Sequence, residues 1–467
     1  MSRHSATSRR SAFRLLPPLD LLSMSRRSRL IVAGTAVVCL VLPAAAAQAV
    51  GSVKASVSPS GSVRQSGSPL SPLTQPSRKF GAAATAVGKG ATPAARARIM
   101  TRLTGRLPDQ VAAYDVKPLW NKGITGQGTS IATIVSFGDP HIQRVIDAYD
   151  RANGLPKAHV TILAPVGDPS CPRGHQGVCG GWAGETDLDV AMFHTLAPGA
   201  HIYVVATPVA ETLGLHGFPK MMKAIDHLIA HQTVDVISMS LSATEETFNL
   251  PSEIKGMDGT FRRARAAGIP IVAASGDDGA TGPKRARDGG GVYGHRVVGW
   301  PASDPLVTAV GGTVLHVVKG HRTAPDSLVR FSGGGFSHVY ARPKWQSGIG
   351  ALKLSRRRAM PDVVMQGTDG TSMSAPLFAA ILSLATQENG GKPLGFLNPT
   401  LYALGPLGAK AGFVDVTKGN NTWQGVTGYR CKKGYDLPSA YGTIDGAVFV
   451  PALVKALPSW EELVPGR

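Results

Sequence analysis

The sequence predicts an α/β fold, a doubly wound sandwich whose mainly parallel central sheet is covered by helices on both faces. Three observations lead there. Short apolar runs recur at residues 131–135, 201–205, 234–240, 269–274 and 307–310, and continuous runs of this kind suit strands buried on both faces. Helical patterns at 221–231 and 253–267 fall between several of them, and such alternation calls for parallel strands joined by crossover helices. The chain has 467 residues and is 43% hydrophobic, enough to bury a large core. Chemistry in such sheets gathers in the loops at the carboxyl ends of the strands.

The N-terminus reads as an export signal. Arg26-Arg27-Ser28-Arg29 precedes an apolar run over 30–42, then Pro43 and the small-residue site Ala47-Gln48-Ala49. This predicts a signal peptide over 1–49, cleaved after Ala49, and a secreted, extracellular protein. An uncleaved anchor is the alternative, but the run is short for a membrane span, so no stable membrane insertion is expected after cleavage. The stretch before the run is long for a signal, which points to a start at Met24 rather than at Met1. Twin arginines stand at Arg9-Arg10 and Arg26-Arg27, and the second pair borders the run.

Residues 50–105 are rich in Ser, Gly, Pro and Ala and poor in aromatics, so they are expected to form a disordered spacer. They lack the periodic apolar segments a folded propeptide would need. Past Gln110 the composition shifts, and the globular domain is expected over 106–467. Of four cysteines, Cys39 would leave with the signal. Cys171 and Cys179 bound a short Gly/Pro-containing loop where a disulfide suits an oxidising compartment; two separate thiols are the alternative. Cys431 has no assigned partner, and no cysteine spacing matches a zinc site. Seven of the arginines behind the net charge of +19 lie in the first 49 residues. The remaining basic residues are dispersed apart from Arg356-Arg357-Arg358 and accompany no nucleic-acid motif, so a solvated basic face is expected rather than a nucleic-acid partner.

Three stretches carry chemistry. Gly370-Thr371-Ser372-Met373-Ser374-Ala375-Pro376 runs into an apolar helical pattern over 377–385. That places a serine hydroxyl on a helix's first turn, where unpaired N–H groups and the dipole favour developing negative charge. Capping alone is the simpler role for such a serine. In Gly184-Glu185-Thr186-Asp187-Leu188-Asp189, a helix would set Glu185 and Asp189 four apart on one face, close enough to share a proton. Ser275-Gly276-Asp277-Asp278-Gly279 follows the run ending at Ala274, so Asp277 falls at a strand's carboxyl end.

Taken in order, E-x-x-x-D before Ala197-Pro198-Gly199, then S-G-D-x-G, then G-T-S-x-x-x-P resemble the sedolisin family of serine-carboxyl peptidases, which share the subtilisin-like fold. Ala113-Tyr114-Asp115-Val116, Gly126-Gln127-Gly128, Trp300-Pro301-Ala302-Ser303-Asp304-Pro305, Val310-Gly311-Gly312-Thr313, Ser332-Gly333-Gly334-Gly335-Phe336-Ser337 and Gly395-Phe396-Leu397-Asn398-Pro399 extend the likeness over roughly 107–450. The resemblance implies a peptidase with Ser372 as nucleophile, Glu185 as general base, Asp189 orienting Glu185, and Asp277 in the oxyanion hole. A carboxyl can donate to an oxyanion only while protonated, so acidic working pH is implied. It further implies one structural calcium ion, held by Asp415 and Asp436 with carbonyls of Val416, Lys432 and Gly434. The expected partners are polypeptide substrates, met by a monomer. Three departures stand out. The large folded propeptide expected of many members of the family has no counterpart in this sequence. Lys432 replaces a residue that is usually small, and Pro361-Asp362-Val363-Val364 lies close before Gly370, as if a hairpin, and with it a wall of the pocket, were missing.

Two other readings compete. A subtilisin-type Ser-His-Asp peptidase shares the serine motif, but the chain lacks an H-G-T-x-V-A-G block, carries Asp277 where an asparagine would stand, and reads Val135-Ser136-Phe137-Gly138-Asp139 without D-T-G. A secreted non-catalytic binding protein on a degenerate peptidase scaffold would explain the departures; retention of all four catalytic positions opposes it. Digestion of denatured protein in acid separates the two classes.

Overall fold

The computed structural model describes residues 90–458, apart from 211–216, 233, 286–288 and 354. The expected signal over 1–49 and the spacer up to residue 89 lie outside the described residues. Along the chain, helix α1 (Pro93–Thr104) precedes strand β1 (Ser130–Ser136), helix α2 (Ile142–Asn153), strand β2 (His159–Leu163) and the long helix α3 (Gln176–Leu196). Next come β3 (His201–Thr207), α4 (Phe218–Ala230), β4 (Val236–Met239), α5 (Asp258–Ala266) and β5 (Ile271–Ala274). The last third supplies β6 (Thr308–Val314), β7 (Ser327–Leu328), β8 (Val363–Gln366), α6 (Thr371–Glu388) and α7 (Gly446–Ala456).

One sheet organises these elements in the order β7-β6-β5-β4-β1-β3-β2, with β8 also paired to β6. Every pairing in it is parallel except the edge pair β6–β7. All four residues of β4 and of β5 are buried, as continuous apolar runs covered on both faces require. In the centre, Thr133 of β1 pairs with Val204 on one side and Ser238 on the other. Helices α3 and α6 are buried from Gly180 to Leu196 and from Thr371 to Thr386. A helix buried all round belongs to the interior, and these two pack against each other. Among the described residues no helix is long and apolar enough to cross a membrane.

Several expectations shift. The pattern over 253–267 is two helices, Pro251–Lys255 and α5, separated at Gly256 and Met257. The spacer expected to run to residue 105 is corrected at its end, because residues 93–104 form α1. Thr92 caps it, its hydroxyl accepting the Ala95 N–H at 3.3 Å, and Pro93 opens it, a favoured start. Composition hides this helix. Its contact stripe is short: Arg96, Ala97 and Met100 are buried, with Ile99 and Leu103 packed against the core at its margin. Pro361-Asp362-Val363-Val364 opens β8, whose strand pairs with β6 and leads through residues 367–370 into α6. Cys171 and Cys179 are bonded, with Cα atoms 5.9 Å apart, and Cys431 is a half-buried free thiol.

Candidate active site

The carboxyl ends of β4, β5 and β8 converge on the first turn of α6. Gly370 precedes that turn with φ +128°, a conformation side-chain-bearing residues rarely adopt. Thr371 then donates both its N–H and its hydroxyl to Asp277 Oδ1, at 2.7 and 2.8 Å, while its hydroxyl accepts the Gly276 N–H at 3.1 Å. The glycine-rich turn after β5 is thereby clasped to the helix that carries Ser372. Burial pushes the Asp277 carboxyl above its ordinary range, and the two Thr371 bonds pull the other way without cancelling it.

On α3, Glu185 and Asp189 stand one turn apart, 1% and 0% exposed. Asp189 Oδ2 accepts the Thr133 hydroxyl at 2.5 Å and Oδ1 accepts the Ser240 hydroxyl at 2.7 Å. Neither donor is charged, and burial pushes Asp189 up to about 7 against these two bonds. Ser240 also lies 3.1 Å from the Ser372 carbonyl oxygen, to which it can donate. One serine at the end of β4 thus touches both the acidic helix and the serine helix. Glu185, Asp277, Thr371 and Ser372 line a single cleft with Trp182 and Ser240. Ser372, the Glu185 carboxyl and the Asp277 carboxyl, which burial shifts towards its protonated form, therefore share one cavity, with Asp189 held behind them.

Ser240, Thr133 and Thr371 do not stand out in the sequence. Thr133 is the lone polar residue inside its apolar run, and Ser240 closes another, so a buried hydroxyl within a strand pattern is the available signal.

The second expected site lies near the C-terminus. Asp415 Oδ2 accepts the Gly434 N–H and Asp436 Oδ2 accepts the Lys432 N–H, each at 2.8 Å. Asp436 Oδ1 accepts the Ser439 hydroxyl and N–H at 2.6 and 3.0 Å, and that hydroxyl also lies 3.3 Å from the Val416 carbonyl oxygen. The fold therefore gathers Asp415, Val416, Lys432, Gly434 and Asp436 into one loop system. Asp415 Oδ1 is buried without a hydrogen-bond partner, a costly state for a carboxylate oxygen unless a cation meets it. Burial, and secondarily Asp415, push Asp436 up to about 6. Among the described residues no group of three or more His, Cys, Asp or Glu side chains is arranged to hold a metal ion, so carbonyls would have to complete any ligand set here.

A profile of the subtilase family matches residues 169–401. Kumamolisin of Bacillus sp. (strain MN-32) is 30% identical over 380 residues, 74% of this chain and 63% of its own. Sedolisin of Pseudomonas sp. (strain 101) is 26% identical over 350 residues, 69% and 57% of the two chains. Tripeptidyl-peptidase 1 of Canis lupus familiaris is 31% identical over 323 residues, 61% and 52%. The chain thus spans between about half and just under two thirds of the length of these relatives. Among solved structures, Pseudomonas sedolisin, a serine-carboxyl proteinase complexed with two molecules of pseudo-iodotyrostatin, matches with a TM-score of 0.63 at 23% identity, over 75% of this chain and 98% of that one. The shared fold is subtilisin-like.

Proposed function

The chain belongs to the sedolisin family, and we propose that it is a secreted serine-type peptidase that hydrolyses polypeptides in acid through an acyl-enzyme on Ser372. What carries this reading is the meeting of Ser372, Glu185 and Asp277 in one cleft. The Ser372 hydroxyl attacks the substrate carbonyl while Glu185 takes its proton. Asp277, which burial shifts towards its protonated form, donates from that form to the oxygen as it becomes negative. Glu185 then returns the proton to the leaving amine, and water repeats the sequence to release the acyl group. Asp189 favours its neutral form up to about pH 7, so in acid it adds no negative charge beside Glu185 and leaves that carboxyl able to work as a base. A histidine base, with an ordinary pKa of about 6.5, would be charged and idle at such pH.

We further propose that one calcium ion sits at Asp415 and Asp436, with backbone carbonyls of Val416, Lys432 and Gly434. The unmatched buried Asp415 Oδ1 supports it, since hard cations favour carboxylate and carbonyl oxygens. The bound ion would neutralise these two acids and tie residues 415–436 together.

The deciding experiment incubates the secreted protein with denatured casein between pH 3 and 8. Cleavage peaking below pH 6, blocked by a peptide aldehyde and reduced at least about a thousandfold in Ser372→Ala, is expected. No cleavage at any pH, with the aldehyde unbound, would leave the scaffold-binding reading standing.

A further inference from the structure

Arg96 is 4% exposed, and Asp139 and Asp187 around it are 3% and 1% exposed. Its Nε donates to Asp187 Oδ2 at 2.8 Å, and its Nη2 lies 2.6 Å from both Asp187 oxygens and from Asp139 Oδ2. Asp139 Oδ1 in turn accepts the His141 N–H at 3.0 Å, where α2 begins. Three pieces of chain, α1, α3 and the turn after β1, therefore meet at one guanidinium.

The position of Asp187 gives this meeting a second meaning. It lies two residues from Glu185 and two from Asp189, so at about 100° per residue it faces away from the cleft while they face it. The turn holding Asp139 directly follows β1, whose Thr133 bonds Asp189. The clamp thus joins, from behind, the same two elements that meet at Asp189. Helix α3 needs such a hold. Its N-terminal half contains Gly177, Gly180, Gly181 and Gly184, the least favourable helix residues after proline, and the Cys171–Cys179 bond fixes only its first turn. Glu185 follows directly on the last of these glycines.

We propose that Arg96 is a positioning residue for the Glu185–Asp189 pair, so that helix α1, upstream of the stretch resembling the family, is a working part of the peptidase. This rests on the peptidase reading above.

The test uses the full chain. Arg96→Met alone would strand the buried Asp187 and Asp139 carboxyls, so it is paired with the double variant Arg96→Met/Asp187→Leu, which removes the guanidinium and its two-oxygen partner and leaves Asp139 holding the His141 N–H. For the folded double variant, kcat is expected to fall about tenfold or more with KM held within about twofold, since small displacements of a catalytic group act on the reacting geometry. Amide hydrogen exchange across residues 180–189 is expected to quicken. Parent-like kcat, or lost kcat with unchanged exchange in 180–189, overturns the proposal, because the effect would not pass through α3. If the double variant does not fold, the intact mass of the active parent decides. An active species retaining residues 93–104 is expected, and full activity in a species beginning beyond Thr104 overturns it. A parent that cleaves nothing in acid, yet whose 180–189 exchange responds to the substitutions, sinks the peptidase reading instead.

Discussion

The cleft and the loop near the C-terminus both bring acidic side chains into the interior, and they relieve the resulting repulsion differently. In the cleft, Asp189 and Asp277 meet only hydroxyl and amide donors, and burial drives both towards their protonated forms. In the loop of Asp415 and Asp436, backbone N–H groups satisfy three carboxyl oxygens and leave Asp415 Oδ1 buried without a partner. The first arrangement favours a proton; the second leaves Asp415 Oδ1, for which a cation is the proposed partner. Each region should therefore respond to its own agent, the cleft to pH and the loop to a chelator.

The largest effect expected is on turnover. Glu185→Gln keeps the shape of a neutral Glu185 but cannot take the serine proton, so kcat should fall about a thousandfold or more at the acid optimum. Melting at pH 4 should stay within a few degrees of the parent. Near-parental turnover in this variant would remove the proton from the centre of the contrast.

Folding stability should follow the buried acids. A carboxyl whose folded-state pKa lies above its unfolded value of about 4 contributes stability that is complete below that value and is lost as pH rises through the folded one. Asp189 is pushed up to about 7. Asp304 is pushed to about 8 by burial and then by Asp258, the two acids sharing the Tyr340 hydroxyl at 2.9 and 2.7 Å. The loss should therefore run from about pH 4 to pH 8, stability falling as these carboxyls give up their protons in the folded state. Urea midpoints at pH 4, 6 and 8 measure it; a midpoint that rises across this range contradicts the protonated-core account.

Asp277→Asn asks whether the cleft proton is needed at this one position. An amide donates at every pH, so this variant should retain activity within about tenfold of the parent at the optimum. Its neutral-side decline should move upward or flatten in a pH–rate profile. A decline that stays in place would assign that limb to other acids of the cleft, Asp189 first among them.

The smallest effect belongs to the loop. Chelation should lower the melting temperature by several degrees in a calorimetric scan, and Asp415→Ala should abolish the chelator's effect, since a ligand stabilises only what it binds. Turnover at the optimum should change little over the same range. Superimposable melting curves with and without chelator would reject the ion and leave Asp415 Oδ1 unexplained.

How far the sequence speaks varies by residue. The strands at 131–135 and 269–274 are legible because buried parallel strands advertise themselves as apolar runs. The helix holding Glu185 and Asp189 is legible only as a four-residue spacing, since α3 is buried nearly all round and carries no amphipathic stripe. The edge strand β2 escapes notice because it is half exposed with mixed polarity. Helix α1 passes for spacer because one short stripe, Ala97, Ile99, Met100 and Leu103 around Arg96, is too little to tilt the composition of 50–105.

The alternation of strand and helix, the serine turn at Gly370, the acid pair on one helix face and Asp277 at a strand's end are all written in the sequence. Each depends on residues within a few positions of one another, where spacing and side-chain chemistry suffice. The bonds that span the chain are settled only in three dimensions: Thr133 to Asp189, Ser240 to Asp189 and to the Ser372 carbonyl, Thr371 to Asp277, Arg96 to Asp187. Their partners lie 51 to 132 residues apart. Sheet order and helix packing bring them together, and a hydroxyl in an apolar run does not reveal which distant carboxyl it will meet until β1 has taken its place between β3 and β4.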